Sequence, residues 1–253
     1  MNTITRFSAK SELYAARRWD YDPAAVAELV QLTSLQPGDP VADVGAGAGA
    51  LTRHLLAHGL RVTAVEPSLA MQAIATANLG CHPGFTAVDG LADATGLPDD
   101  SVALIAVGRA MHWFPFASTR REFLRIVRPP GWLALLAVDC TDKELSAAVA
   151  ALQSEQLGWD VAASKGNRPP VDLPALYGGV HYRRLEFPSI RHENRGQFVD
   201  RLLSISSAPS REHPRFSLFV QAAQALFDSR AVDGVMAVPV ATVVTVGRMV
   251  ADA

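Results

Sequence analysis

Residues Val41 to Gly49 read Val-Ala-Asp-Val-Gly-Ala-Gly-Ala-Gly, and twenty-one positions past Gly45 the chain reads Val62-Thr63-Ala64-Val65-Glu66. The first run is a buried strand ending in a glycine-rich turn; the second is a strand ending in an acid. Glycines at 45, 47 and 49 lack a Cβ, so they can take positive φ and let the backbone lie against a ligand. An acid closing the next strand can accept hydrogen bonds from both hydroxyls of a ribose. Together these features predict an adenosine site in an open α/β sheet, where ligands sit beyond the carboxyl ends of the strands.

Two kinds of cofactor use this arrangement. Dinucleotides favour G-x-G-x-x-G, with a pyrophosphate at the helix N-terminus. Here the spacing is G-x-G-x-G, and Asp43 stands two residues before the first glycine. An acid there repels a pyrophosphate and suits a cation, such as the α-ammonium of S-adenosylmethionine (SAM). A glycine turn of purely structural use is the alternative reading.

On these residues the chain resembles the class I SAM-dependent methyltransferases. Val41–Gly49 resembles their motif I, and Val65-Glu66-Pro67-Ser68 their second motif. Val88-Asp89-Gly90-Leu91-Ala92 with Leu97-Pro98-Asp99-Asp100-Ser101 resembles the third-strand segment, whose acid contacts the adenine amine in that family. Ala110-Met111-His112-Trp113-Phe114 is similar to the HWF box of a subgroup that includes trans-aconitate methyltransferase-like enzymes. Arg125-Ile-Val-Arg-Pro-Pro-Gly131 resembles the entry to the fifth strand, and Tyr14-Ala-Ala-Arg-Arg-Trp-Asp-Tyr21-Asp-Pro the family's lead-in. The likeness runs from about residue 8 to 139. It implies a doubly wound, mostly parallel, seven-stranded Rossmann-like sheet carrying an inserted lid and substrate-binding segment. It further implies that SAM contacts Arg18, Asp43, Gly45, Ala46, Gly47, Glu66, Pro67, Met71, Asp89, Gly90, Leu91, Gly108 and His112.

The chain departs from the family at four places. Ala103 stands where an acid is usual, Arg109 where a small or amide residue is usual, Trp19 replaces the lead-in proline, and Pro130 replaces a glycine. None touches motif I.

Strand-like runs at 41–44, 61–65, 85–88, 102–107 and 132–138 alternate with helical stretches at 51–58, 69–79 and 118–127, preceded by an amphipathic helix at 24–32. Such alternation predicts a parallel sheet with right-handed crossovers. Beyond Asp139 the rhythm breaks. Residues 143–157, 197–204 and 216–227 read as helices and 182–190 as a strand. The β-branched run 235–249, which contains Pro239, reads as final, edge-side strands. The division expected is 1–35 as N-terminal lid helices, 36–139 as the SAM-binding core, 140–230 as lid and substrate-binding insertion, and 231–253 as final strands.

With 253 residues, 49% hydrophobic and 19% charged, the chain is expected to be globular. A net charge of −2 argues against a nucleic-acid surface. Only Cys81 and Cys140 occur, so neither a disulfide nor a metal site is expected. No signal-like or spanning apolar run is seen, and the expectation is a cytoplasmic protein without a membrane partner, monomeric or a weak homodimer.

Methyl transfer from a sulfonium needs mainly proximity and exclusion of water, with a general base only for a protonated nucleophile. His112, after the fourth strand, is the candidate base; the alternative is a packed histidine shaping the pocket. Trp113 and Phe114 are candidate cavity walls or core residues. Arg18 can pair with the SAM carboxylate. Arg109, at the carboxyl end of the fourth strand, can clamp an anionic acceptor bidentately. Tyr14, Tyr21, Arg109, Trp113, Tyr177 and Ser204 form the expected substrate set. The reaction expected is methyl transfer to oxygen or nitrogen of a small, anionic molecule. The alternatives are a non-methylating SAM enzyme, a NAD-dependent oxidoreductase and a non-catalytic SAM-binding protein.

Overall fold

The computed structural model describes residues 17–157, 171–205 and 208–250. Tyr14 and the earlier part of the expected lid lie outside these residues. In chain order the elements are α1 (Pro23–Thr33), β1 (Pro40–Val44), α2 (Ala50–Ala57), β2 (Arg61–Val65), α3 (Leu69–Leu79), β3 (Phe85–Val88) and β4 (Val102–Gly108). A short 3-10 turn (Met111–Trp113) follows, then α4 (Phe116–Ile126), β5 (Val127–Cys140), α5 (Lys143–Leu157), α6 (Leu173–Tyr177), β6 (Tyr182–Glu193), α7 (Arg195–Leu203), α8 (Phe216–Asp228) and β7 (Met236–Arg248).

One seven-stranded sheet runs β3-β2-β1-β4-β5-β7-β6. The first five strands are parallel, and β7 pairs antiparallel with both β5 and β6. Side chains alternate across a strand, so a sheet covered on both faces needs apolar residues at every position. In β4, Leu104 and Ala106 enter one core while Ile105 and Val107 enter the other, all at 1% exposure or less. The first core gathers α1, α2, α7 and α8 on one face; the second holds Phe123 and Ile126 of α4 and Leu176 and Tyr177 of α6.

Helix starts follow local chemistry. Asp22 caps α1 by accepting from Ala24 N, with Pro23 at the first helical position, where its missing N–H costs nothing. Asn194 and Gln197 close a reciprocal capping box at the start of α7.

The C-terminal third departs from the sequence expectation in three ways. The run 235–249 is a single strand, and it is interior: β7 lies between β5 and β6, and β6 is the edge. Pro239 is tolerated because β5 ends opposite Val240, and the Pro239 carbonyl accepts from Thr141 N just beyond the ladder. Within the segment 140–230, expected as an insertion, β6 joins the main sheet and α7 and α8 cover its face. The long antiparallel β6–β7 pair, whose connection carries α7 and α8, extends the hydrophobic sheet, and those helices bury what it adds. No helix among the described residues is long and apolar enough to cross a membrane.

Candidate active site

The carboxyl ends of β1, β2 and β4 converge on the glycine turn. Gly45 N and Ala46 N donate to Val65 O at 2.8 and 3.2 Å, which ties the turn to the end of β2. Gly45, at φ +70°, lies against the loop after β4: a Cβ there would sit 2.7 Å from Ala110 Cβ and 2.9 Å from Phe114 Cζ. Gly47, at φ +57°, faces the other way, and a Cβ there would meet nothing within 4 Å. One glycine is thus required by packing and the other borders open space where a ligand backbone or ring can approach.

Glu66, at the end of β2, accepts from Gly47 N through Oε2 and from Ser68 N through Oε1, both at 2.9 Å. Burial raises its pKa against these two bonds, which lower it. Each oxygen keeps a lone pair for a further donor. Asp43, at the end of β1, is fully buried. Its Oδ2 accepts from Thr52 Oγ1 of α2 at 2.6 Å, and Oδ1 has no partner among the described residues. Burial, with a smaller contribution from the Glu66 charge, pushes its carboxyl up to about 7. An orphaned oxygen on a buried acid is costly unless a ligand satisfies it.

Two cavities open around this turn and share Gly45, Gly47, Gly108 and Arg109 in their walls. The larger, about 390 Å³, is walled by Glu66, Pro67 and Met71 on one side and by Leu91, Trp113 and Phe114 on the other. Its character is a mostly apolar slot with a carboxylate at its edge. The smaller, about 230 Å³, is charged: Asp43 lies at its base, and Arg18, Asp20, Arg53 and Arg109 surround it.

The loop after β4 supplies Arg109, whose φ of +57° is unusual for a residue with a side chain. Such a conformation costs on the order of 1–2 kcal/mol and persists only where its surroundings impose it. Arg109 N donates to Leu136 O at 2.9 Å, and its Nη1 donates to Trp19 O at 2.7 Å. The guanidinium lies 4.8 Å from the Tyr21 ring centre, a cation–π distance. Tyr21 is buried, and its hydroxyl occupies the place that a Cβ on Gly108 would need. On the opposite wall, Asp20 pairs with Arg53 and, at 2.9 Å, with His54 Nε2, both on α2.

Thus the structure brings Arg18, Asp43, Gly45, Ala46, Gly47, Glu66, Pro67, Met71, Gly90, Leu91 and Gly108 to one cleft, together with Tyr21, Arg109 and Trp113. Four expected residues stand elsewhere. Asp89 is exposed and walls neither cavity; Asp93 takes that place, because the tight turn Leu91–Ala94 swings it inward, where it accepts from Ser118 Oγ at 2.9 Å. His112 is exposed and outside both walls. A 3-10 turn has three residues per turn; with Met111 buried and Trp113 facing the cavity, the remaining direction is outward. Tyr177 is a core residue, with its hydroxyl 3.0 Å from Thr245 O and its ring stacked on Tyr182 at 5.1 Å. Burial drives its phenol pKa far upward. Ser204 is buried at the end of α7, donating to Arg201 O at 2.6 Å.

Sequence reading did not single out Asp20, Arg53 or Asp93 as wall residues. An acid four positions past Asp89 was a visible signal for the last; nothing local marks the other two. No described residue between 140 and 230 walls either cavity; residues from 18–21 and 108–115 do.

Sheet order, glycine turn and paired acids define a Rossmann-like enzyme of the class I methyltransferase type. Residues 42–135 match the family model described as a methyltransferase domain. A Mycobacterium tuberculosis protein described as an uncharacterized methyltransferase is 30% identical over 188 residues, 72% of this chain and 69% of that protein. The chain belongs to this methyltransferase family. Among solved structures, a provisionally assigned type II methyltransferase from Anaeromyxobacter dehalogenans superposes with a TM-score of 0.62 at 23% identity, covering 91% of this chain and 97% of that one. A provisionally assigned antibiotic-pathway methyltransferase from Anabaena variabilis does so at 0.61 and 22%, covering 90% and 98%. Both likenesses are of fold.

Proposed function

We propose that the protein transfers a methyl group from SAM to an oxygen or nitrogen atom of a small anionic molecule, a carboxylate above all. The observation that carries this reading is the division of the cleft into an apolar slot beside Glu66 and a charged chamber beside Asp43. The residues fit the cofactor. Glu66 offers lone pairs to two ribose hydroxyls, and Met71, Leu91, Trp113 and Phe114 offer apolar faces to an adenine, with Asp93 at the edge for its amine. The orphaned Asp43 Oδ1 suits an ammonium, and Arg18 a carboxylate. When bound, SAM supplies an electrophilic methyl group on a positively charged sulfur.

The acceptor side rests on charge. Three guanidiniums, of Arg18, Arg53 and Arg109, face two carboxylates, of Asp20 and Asp43, in the charged chamber. Arg109 alone of these charged residues borders both cavities, and its planar fork can hold an anion there. An ionised carboxylate also carries no proton to be removed, so it needs no general base. This suits a site in which His112 points away. The HWF-box likeness to trans-aconitate methyltransferase-like enzymes agrees with a small acid as acceptor.

The test is incubation with SAM and a panel of small carboxylic acids, followed by mass analysis. S-adenosylhomocysteine together with an acid 14 mass units heavier supports the reading, while methylthioadenosine marks cyclisation or aminocarboxypropyl transfer instead. SAM bound but unconsumed across charged and neutral panels alike would count against catalysis of this kind.

A further inference from the structure

Residues Arg18 to Tyr21 of the short segment Arg17–Asp22 form one wall of the charged chamber, and the segment is held from two sides. The methyltransferase core holds it through Arg109 Nη1 on Trp19 O and through His54 and Arg53 on Asp20. The C-terminal part of the chain holds its other side. Trp19 Nε1 donates to Glu193 Oε1 of β6 at 2.8 Å. Glu193 is itself in a buried, two-pronged ion pair with Arg201 of α7, at 2.7 and 2.9 Å. The Arg201 guanidinium lies 4.1 Å from the Trp19 ring centre, stacking on the same indole. Arg191 of β6 donates to Asp20 O at 2.8 Å, and Asp200 of α7 pairs with Arg17 at 3.0 Å.

We infer that β6 and α7 are a positioning device for the cofactor's amino-acid end: Arg191, Glu193 and Arg201 set where Trp19 and Asp20 stand, and through them where Arg18, Tyr21 and Arg109 stand. These residues act through the segment and are not catalytic. The chemistry supports a fixed seat. A buried Glu193–Arg201 pair holds its geometry only with its remaining hydrogen bonds satisfied, and the Trp19 indole N–H supplies one of them. The indole thus completes the ion pair, and the ion pair fixes the indole. The device depends on tryptophan at position 19, since it uses both an indole N–H and an aromatic face. It also gives the segment 182–203 a role in the site although none of its residues walls either cavity.

This inference rests on the reading that the charged chamber takes the amino-acid end of the cofactor. Two probes separate the ends. S-adenosylhomocysteine fills both cavities, whereas methylthioadenosine has the adenosine part without the aminocarboxylate. Calorimetric dissociation constants for both are compared in the full-length protein, in Trp19→Phe, which keeps a ring over Arg201 and loses the N–H, and in Arg191→Met.

The expected result is a loss of about tenfold for S-adenosylhomocysteine in each variant, the equivalent of one charge-assisted hydrogen bond, with methylthioadenosine held within about twofold. Arg191→Lys should recover part of the loss. Equal weakening of both probes would mean that the device only stabilises the fold, and unchanged binding of both would mean that it does nothing; either overturns the inference. Wild-type protein that binds the two probes equally would instead overturn the assignment of the charged chamber, and the inference with it.

Discussion

Asp43 gives the sharpest test, because its effects on stability and on binding have opposite signs. Its carboxyl is buried, accepts from the Thr52 hydroxyl and is pushed up to about 7, against an ordinary value of about 4. Between those values the folded state binds the proton that the unfolded chain has released. Stability therefore falls as pH rises from about 4 to about 7, and this contribution is flat above that. At 1.36 kcal/mol per unit, the window corresponds to a cost on the order of 4 kcal/mol. A ligand ammonium beside Oδ1 needs the ionised form, which is only about a tenth of the free protein at pH 6.

S-adenosylhomocysteine should accordingly bind roughly tenfold more weakly at pH 6 than at pH 7.5, with about one proton released on binding at pH 6. Calorimetry in buffers of different ionisation enthalpy reads that proton directly. Asp43→Asn removes the charge while leaving an oxygen for Thr52. At pH 7.5 it should raise the urea midpoint and weaken binding by about 10- to 100-fold. Affinity that is flat between pH 6 and 7.5, or an asparagine variant that binds like wild type, would refute the ammonium assignment. A variant less stable than wild type at pH 7.5 would refute the burial argument.

Three further substitutions probe the rest of the cleft. Glu66→Ala removes a ribose acceptor and also orphans Gly47 N and Ser68 N. Affinity for S-adenosylhomocysteine should fall about 30- to 1,000-fold, and the melting temperature should drop as well; less than a threefold loss by calorimetry, with the fold intact, removes Glu66 from the site. Gly47→Val forces a β-branched residue to φ +57° and fills the open space beside the turn. Spectroscopic and calorimetric titration should show binding abolished while the circular dichroism spectrum stays native-like. Arg109→Leu should raise the KM of an anionic acceptor about 10- to 100-fold in steady-state assays, with lysine recovering only part because it lacks the planar fork. An acceptor that is neutral and turned over equally well by Arg109→Leu would remove the guanidinium from acceptor binding.

The parallel core was legible in the sequence because its signals are local. Each strand from 40–44 to 102–108 is a short apolar run, each crossover helix has its own period, and the turn chemistry lies within a few residues of the strand it follows. The walls of the cleft near the turn were legible for the same reason: Asp43, Gly45, Gly47 and Glu66 all sit on two strand ends and the turn between them. Asp89 and His112 stand outside both cavities for a reason one step further out. There, the bend of a loop decided which of several nearby polar residues faced inward, and composition does not encode that bend.

What the sequence alone determined, then, is the alternating core and the glycine turn at the end of its first strand, since periodicity and glycine placement act over a few residues. Tertiary structure decided the rest. It moved β7 inside the sheet, because the pairing of a strand with β5 and β6 is a long-range choice between apolar edges. It made Tyr177 and Ser204 core residues, because burial depends on what packs above them. It also joined Trp19 to Glu193 across 174 positions and Arg109 to Trp19 across 90. A hydrogen bond needs atoms within about 3 Å of each other. Nothing in the order of residues along a chain fixes such a distance until the sheet and its covering helices have brought the two ends together.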